Sequence, residues 1–186
     1  MLLGTGLLWF GWFGFNAGSA MGANGVAVQA LGTTTVAAAA ASMAWVFFDK
    51  ILGHKLSAMG ACIGAVVGLV AITPAAGFVS IAHAITIGII SSIVSNLAVS
   101  KFPKGKIDDA LDVFACHGVG GMVGMILTGV FASNTINPAV VDQGLLFGET
   151  KLFLNQITAL IIVSIFAFNA SYAIFFITNK ITRLRV

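Results

Sequence analysis

The sequence predicts an all-α, polytopic membrane protein with six transmembrane helices. Of its residues 59% are hydrophobic and only 8% are charged, and the mean hydropathy is +1.04. Only helices and closed barrels satisfy the backbone hydrogen-bonding groups in lipid. The apolar runs are much longer than the alternating strands of roughly 10 residues that build a membrane barrel. A helical bundle is therefore expected.

Hydropathy divides the chain into six segments, and clusters of Gly, Asn and Pro mark several of the breaks between them. The predicted helices are 1–20, 26–52, 56–72, 79–100, 111–132 and 151–181. The third is short for a full crossing, which needs about 20 residues. The Thr73-Pro74 pair is expected to end it.

The positive charges predict how the helices are oriented. Eight of the nine Lys and Arg residues fall at alternate connections or at the end of the chain, and Lys151 is the exception. These eight are Lys50, Lys55, Lys101, Lys104, Lys106, Lys180, Arg183 and Arg185. Cytoplasmic loops carry the excess of Lys and Arg. That face is thus expected to be cytoplasmic. The protein is expected in the cell (plasma or inner) membrane, with both chain ends on the cytoplasmic side.

The same composition excludes several classes of function. A net charge of +3 without basic clusters and interleaved aromatics does not predict nucleic-acid binding. There is no nucleotide-binding, metal-binding or nucleophile pattern, so neither an enzyme nor a cofactor is expected. Cys62 and Cys116 fall in apolar helices, where small packing residues are favoured over a disulfide. Met1 begins directly in apolar sequence, which predicts no cleavable signal peptide and a truncated or internal start.

Small residues recur at helical spacing and predict close helix packing. Gly60, Gly64 and Gly68 repeat every fourth residue in the third helix, and Gly120 and Gly124 do so in the fifth. The alanine run 37–41 has the same effect in the second helix. Such residues let helix backbones approach closely in lipid. Five glycines close to position 117 (118, 120, 121, 124 and 129) are also expected to leave one side of the fifth helix bare for a lumen.

His117 is the most informative residue, because it lies within this apolar fifth helix. Eleven helical residues beyond Lys106 would put it roughly 16 Å below the membrane surface. One interpretation is a histidine satisfied by a neighbouring helix. The other is an ion or proton path, which intramembrane ionisable residues mark by default. Chemistry alone favours the second.

Two further groups of residues have open interpretations. Aromatic residues between Trp9 and Phe15 end the first helix and either anchor it at the interface or, with Ser19, hold a small cation. Acidic residues at positions 108, 109 and 112 favour the start of the fifth helix through capping and the helix dipole. Asp112 either caps this helix or accepts hydrogen bonds from a neighbouring loop.

Three long stretches, 9–19, 60–79 and 108–131, together resemble the ammonium transporter family (Amt/Mep/Rh), in particular its bacterial branch. Such members have eleven spans, built as two inverted five-helix repeats plus a long final helix. The resemblance implies that 1–186 is the second repeat with that final helix. It therefore implies a partial ammonium transporter domain, without the N-terminal repeat and the cytoplasmic tail.

The resemblance also implies roles for single residues. His117 corresponds to one of two pore histidines, and Phe15 to one of two stacked phenylalanines at the outer mouth. Trp12 corresponds to a pore-wall residue and Ser19 to a hydroxyl of the external ammonium site. The implied function is transport of ammonium or ammonia through a hydrophobic channel across the lipid bilayer. The resemblance also implies a homotrimer, and a PII signalling protein as a further partner. The alternative is a non-conducting fragment or part of an ammonium-sensing receptor.

Overall fold

The computed structural model describes residues 1–101 and 109–184 of the chain. The described part is all-helical, with six α-helices and three short helical turns. The α-helices are α1 (Leu2–Asn16), α2 (Gly25–Ile51), α3 (Ala58–Ile72), α4 (Ile81–Lys101), α5 (Gly120–Phe131) and α6 (Lys151–Ile181). The predicted cytoplasmic cations Lys104, Lys106 and Arg185, and the predicted helix-start residue Asp108, lie outside the described residues.

Local sequence explains where several helices begin and end. Asn24 caps α2 by accepting a hydrogen bond from the Ala27 amide at 3.0 Å. Ser57 caps α3 in the same way through the Gly60 amide at 2.9 Å. Both residue types are preferred N-caps, because their side chains accept from amides that have no partner inside the helix. Pro74 follows the end of α3, as the sequence predicted, since proline cannot continue the hydrogen-bond ladder.

Two predicted boundaries are wrong in ways that affect the site. The first helix ends at Asn16, and Gly18–Ala20 form a separate 3₁₀ turn that closes at Met21 with a φ of 54°. The fifth helical region opens with a π-helical turn, Phe114–Val119, that leads into α5. Residues 109–112 are not helical. The predicted depth of His117 below the membrane surface, which requires a continuous helix through these residues, is therefore not supported.

The core forms where α2, α3 and α4 pack with their backbones in close contact. A Cβ at Gly68 would lie 2.6 Å from the Ala37 carbonyl oxygen, and one at Gly64 would lie 2.7 Å from that of Ala41. The predicted close packing of the glycine repeat against the alanine run is thereby confirmed. In the same way Gly124 of α5 lies directly against the backbone of Ala71 in α3.

Most glycines near His117 pack against neighbouring helices and do not form a bare wall of a lumen. A Cβ at Gly120 would lie 3.4 Å from Ser95 Oγ and 3.6 Å from Val67 Cγ1, and one at Gly129 would lie 2.9 Å from the Phe153 Cα. Neighbouring helices therefore fill the space beside three of the five glycines that were expected to leave one side bare. These three are Gly120, Gly124 and Gly129. The expectation that these glycines clear a lumen is wrong for these three.

Buried and half-buried polar side chains join the core helices to one another. Ser42 of α2 donates a hydrogen bond to the Ala61 carbonyl of α3 at 2.8 Å. Ser92 of α4 donates to the Ala41 carbonyl of α2, also at 2.8 Å. Interhelical hydrogen bonds of this kind contribute to association in lipid, where the hydrophobic effect between helices is lost. They complement the van der Waals contacts of the small residues.

The outer helices are much less covered than the core. Among the described residues, four helical segments are long and apolar enough to cross a membrane by length and composition. They are Gly25–Ile51, Ile81–Lys101, Phe114–Phe131 and Lys151–Ile181. As predicted, α3 is shorter, with 15 residues. No residue of α6 is buried, and this helix contacts the described bundle mainly through α5.

Substituting Gly68 tests the backbone contact between α2 and α3. Gly68→Ala places a methyl group against the Ala37 carbonyl, and we expect a loss of about 1–3 kcal/mol in stability. Thermal unfolding in detergent of a purified protein containing this chain measures it. Gly4→Ala is the matched control, since a Cβ at Gly4 meets nothing within 4 Å. Equal stability of the two variants would contradict the packing described here.

Candidate functional site

Trp12 is held at its indole nitrogen by a residue from another helix. Its Nε1–H donates a hydrogen bond of 2.8 Å to Oγ1 of Thr73, at the end of α3. The Thr73 hydroxyl in turn donates to the Leu69 carbonyl at 2.8 Å. Because an indole nitrogen can only donate, the direction of this chain is unambiguous. The half-buried Trp12 ring is therefore fixed in orientation.

Phe15 and Ser19 continue from Trp12 along one exposed side of the chain. The ring centroids of Trp12 and Phe15 are 5.7 Å apart, with an angle of 53° between the planes. Phe15 remains 62% exposed. Ser19 Oγ donates to the Phe15 carbonyl at 2.6 Å, so its own proton is used and its oxygen lone pairs can accept from a ligand. Aromatic faces beside such an acceptor suit a small cation that carries N–H groups.

Asn16 lies between these residues in sequence, but its side chain packs against α2. It is buried, and its Nδ2 donates to Thr34 Oγ1 of α2 at 2.9 Å. The Thr34 hydroxyl in turn donates a hydrogen bond to the Ala30 carbonyl at 2.6 Å. Asn16 thus joins α1 to α2 and does not belong to the exposed group, although the sequence put it beside Ser19.

His117 lies in the π-helical turn Phe114–Val119 that precedes α5. Its side chain is exposed, while its neighbour Cys116 is buried. π-helical turns are rare and occur frequently at functional sites, because they redirect side chains relative to a regular α-helix. An exposed imidazole in an apolar membrane helix is expensive in lipid. This face of the turn is therefore suited to contact with protein or water.

Asp109, and not Asp112, accepts the amides at the start of this turn. The Asp109 carboxylate takes hydrogen bonds from the amides of Val113 and Phe114, each at 2.8 Å. Asp112 sits immediately before the helical region with a φ of 52°, and its backbone carbonyl accepts from the Cys116 amide at 3.0 Å. Asp112 therefore contributes its backbone here, in a conformation that Asp and Asn tolerate better than most residues.

The structure brings Trp12, Phe15 and Ser19 together and leaves His117 on a different helix. Contact between His117 and the other three is not found within the described residues. Instead both pack on α3, which contacts α1 as well as the π-helical turn and α5. The relative position of the aromatic group and the histidine therefore depends on how α3 packs.

An apolar cleft of about 950 Å³ lies beside the histidine-bearing turn, between it and α6. Phe114, Gly118 and Met122 line one wall, and Phe168 and Tyr172 are among the residues of the other. These large side chains of α6 are exposed. The cleft is therefore an open apolar surface beside the turn, and His117 itself does not line it.

Comparison with known proteins identifies the family. The family model described as Ammonium Transporter Family matches residues 1–186. The chain belongs to the ammonium transporter family. It is 46% identical over 185 residues to an ammonium transporter of Aquifex aeolicus, covering 99% of this chain and 43% of that protein. It is 45% identical over 184 residues to an ammonium transporter of Bacillus subtilis, covering 98% and 45%.

Solved structures agree with this membership of the ammonium transporter family. The crystal structure of Candida albicans Mep2 superposes with a TM-score of 0.93 at 37% identity, covering 100% of this chain and 42% of that one. A structure titled Sensor Amt Protein superposes with a TM-score of 0.87 at 32% identity, covering 100% and 45%. The chain spans less than half the length of the relatives that it matches.

Two residues of this ammonium transporter family member matter to the site without being identified by the sequence. Thr73 reads only as part of a helix end, although a hydroxyl before Pro74 is a usable signal. Thr34 lies in a Thr33-Thr34-Thr35 run that gives no indication of its partner. The sequence predicts that Asp109 favours a helix start, but it singles out Asp112, which lies deeper in the apolar sequence.

Substituting the two acids separates their roles. Asp109→Ala removes the acceptor of two amides, and we expect a loss of about 1 kcal/mol, typical of a lost N-cap. Asp112→Asn keeps a residue that tolerates a positive φ, so it should leave stability nearly unchanged. Thermal unfolding of the complete transporter in detergent compares the two. A larger loss for Asp112→Asn than for Asp109→Ala would contradict the assignment.

Proposed function

We propose that this chain forms part of an ammonium transporter, in which ammonium is recruited at an outer aromatic site and crosses as ammonia through a hydrophobic pore. The observation that carries the proposal is the group of half-buried Trp12 with exposed Phe15 and Ser19, on a chain whose apolar helix also exposes His117. The family membership and the names of the relatives support the same substrate.

In this proposal the outer group recruits and partly dehydrates the cation. Ammonium is attracted to the faces of aromatic rings and can donate a hydrogen bond to Ser19 Oγ, whose own proton is directed to the Phe15 carbonyl. Phe15 lies next to Trp12 at 5.7 Å between centroids and acts as part of an outer gate. Trp12 contributes to the wall below it.

Deprotonation then lets the substrate pass where an ion cannot. Ammonium gives up one proton and becomes neutral ammonia, which crosses an apolar lumen at low cost, whereas a charge at bilayer depth is expensive. A neutral imidazole at His117 both donates and accepts hydrogen bonds, so it orients ammonia and can relay the released proton separately. Potassium has no proton to release and is excluded.

We also propose that these residues form the second repeat and final helix of the family fold. Relatives are more than twice as long as the matched region, and the faces that carry His117 and α6 are exposed. The first repeat covers these faces and supplies the partner histidine. A homotrimer in the cell membrane, and a PII signalling protein at its cytoplasmic face, belong to the same proposal through the family resemblance.

A sensor built on the same scaffold is the second candidate. One specific observation favours it, the superposition on a protein titled Sensor Amt Protein with a TM-score of 0.87. A sensor binds ammonium at the outer group but does not sustain net flux. Uptake of ammonium by the complete protein therefore distinguishes the two, since binding without uptake supports the sensor. A non-conducting fragment would give neither flux nor binding.

His117 is tested by substitution in the complete protein. His117→Ala removes the hydrogen-bonding group from the pore, and we expect loss of ammonium current or loss of discrimination against potassium. Electrophysiology in proteoliposomes with ammonium or potassium as the only cation measures both properties.

His54→Gln is the matched control for this experiment. His54 is exposed in the loop between α2 and α3, with 55% of its side chain accessible, away from the proposed pore. We expect its ammonium current and its potassium exclusion to resemble the unmodified protein. If His117→Ala also kept both properties, the role proposed for His117 would be wrong.

The proposed orientation is tested by accessibility of single cysteines. Val141→Cys lies at an 88% exposed position of the loop before α6 and is expected to react with a membrane-impermeant reagent from outside the cell. His54→Cys should react only after the membrane is opened. The native Cys62 and Cys116 are buried, so the unmodified protein gives the background. Labelling of His54→Cys in intact cells would overturn the orientation.

A further inference from the structure

We propose that Thr73 is a positioning residue that sets the orientation of Trp12 and, through it, the geometry of the outer gate. This inference rests on the proposed transport function and adds a residue that does not itself touch the substrate. It starts from the hydrogen bond of 2.8 Å between Trp12 Nε1 and Thr73 Oγ1, which joins residues 61 positions apart.

The end of α3 prepares Thr73 to accept this bond. The Thr73 amide bonds to the Val70 carbonyl at 3.2 Å, one residue short of the regular α-helical partner. The Leu69 carbonyl is thereby left for the Thr73 hydroxyl, which donates to it at 2.8 Å. Because the hydroxyl proton is donated to Leu69, the hydroxyl oxygen can only accept from Trp12, and the indole N–H is a donor. Consecutive hydrogen bonds of this kind strengthen each other.

The position of α1 depends strongly on such bonds, because the helix has little buried surface. Asn16 is its only buried residue. Within the described chain, two side-chain hydrogen bonds join α1 to other helices, from Trp12 to Thr73 and from Asn16 to Thr34. These two residues lie one helical turn apart. Together the two bonds fix the rotation of α1 about its axis.

The rotation of α1 sets where the proposed gate residues point. Trp12 and Phe15 lie three positions apart on α1, so they occupy one side of this helix, and Ser19 lies in the 3₁₀ turn that follows. The Ser19 hydroxyl is bonded to the Phe15 carbonyl, so it moves with the backbone of Phe15. A change in the bond at Trp12 is therefore transmitted to both of these residues.

The bond also determines which part of the indole faces the pore. With Nε1–H donating to Thr73, the indole contributes its apolar ring to the wall next to Phe15. Without that acceptor, the N–H would turn to another partner, and the available ones are water or the transported molecule. A free donor in an apolar passage attracts water and holds ammonia, which slows transport and weakens the exclusion of hydrated ions.

The experiment compares three variants of the complete transporter. Thr73→Val keeps the shape of the side chain but removes the acceptor, and Thr73→Ser restores it. Thr158→Val is the matched control, because Thr158 makes the same bond to the carbonyl four residues earlier, at 2.8 Å, on the exposed surface of α6. Ammonium flux and potassium exclusion are measured in proteoliposomes at matched protein amounts.

We expect Thr73→Val to lower ammonium flux about fivefold to tenfold, the change that loss of one ordinary hydrogen bond permits, and to weaken potassium exclusion. Thr73→Ser should recover most of the flux, and Thr158→Val should match the unmodified protein. Unchanged flux in Thr73→Val, or an equal loss in Thr73→Ser, would overturn the proposal.

A spectroscopic measurement tests the bond independently of transport. In protein with ¹⁵N-labelled tryptophan, the Nε1–H resonance of Trp12 is identified by its absence in Trp12→Phe. It should shift in Thr73→Val, return in Thr73→Ser and stay unchanged in Thr158→Val. If the resonance responds in this way but the unmodified protein carries no ammonium, the transport function fails while the bond stands. A resonance that does not respond refutes the positioning role.

Discussion

The close contact of three helix backbones at Ala37 is the constraint on which the rest of the structure depends. Gly68 of α3 and Gly88 of α4 both face the Ala37 carbonyl of α2, with no room for a Cβ at either position. Lipid is as apolar as the helix surfaces, so association relies on contacts that only small residues allow. Leu69, Ile72 and Ile87 are fully buried around this contact. Displacing one of the three helices would displace the others.

Because α3 is fixed at this contact, it serves as the common reference for both parts of the candidate site. At its end it provides Thr73, which accepts the Trp12 indole. One turn or less before that, Ala71 lies against Gly124 of α5, and α5 continues the turn that carries His117. The aromatic group and the histidine thus belong to different helices that both pack on α3. Their separation is set by the core and not by a direct contact between them.

The sequence was sufficient for features that depend on local composition and spacing. The six helices, the glycine contacts of α3 with the alanine run, and the bounds of α6 follow from hydropathy and small-residue periodicity. The π-helical turn around His117 did not follow, because its extra residue leaves no mark in an apolar pattern. The choice of Asp109 over Asp112 and the pairing of Trp12 with Thr73 depend on backbone geometry and on residues distant in sequence. Such partners are decided by tertiary packing, which a single sequence does not reveal.

Burial along the chain separates a packed core from several exposed surfaces. Cys116 is buried and the adjacent His117 is exposed, so one turn faces the core and the open surface at once. Phe15 and all of α6 lie on exposed surfaces too. An imidazole facing lipid is too costly to be a resting arrangement, and a polar group at that depth requires protein or water beside it. These exposed surfaces are where the proposed first repeat would pack, and in that proposal the substrate path lies at the resulting interface. The packed core of α2, α3 and α4 would hold this chain's wall of the interface rigid.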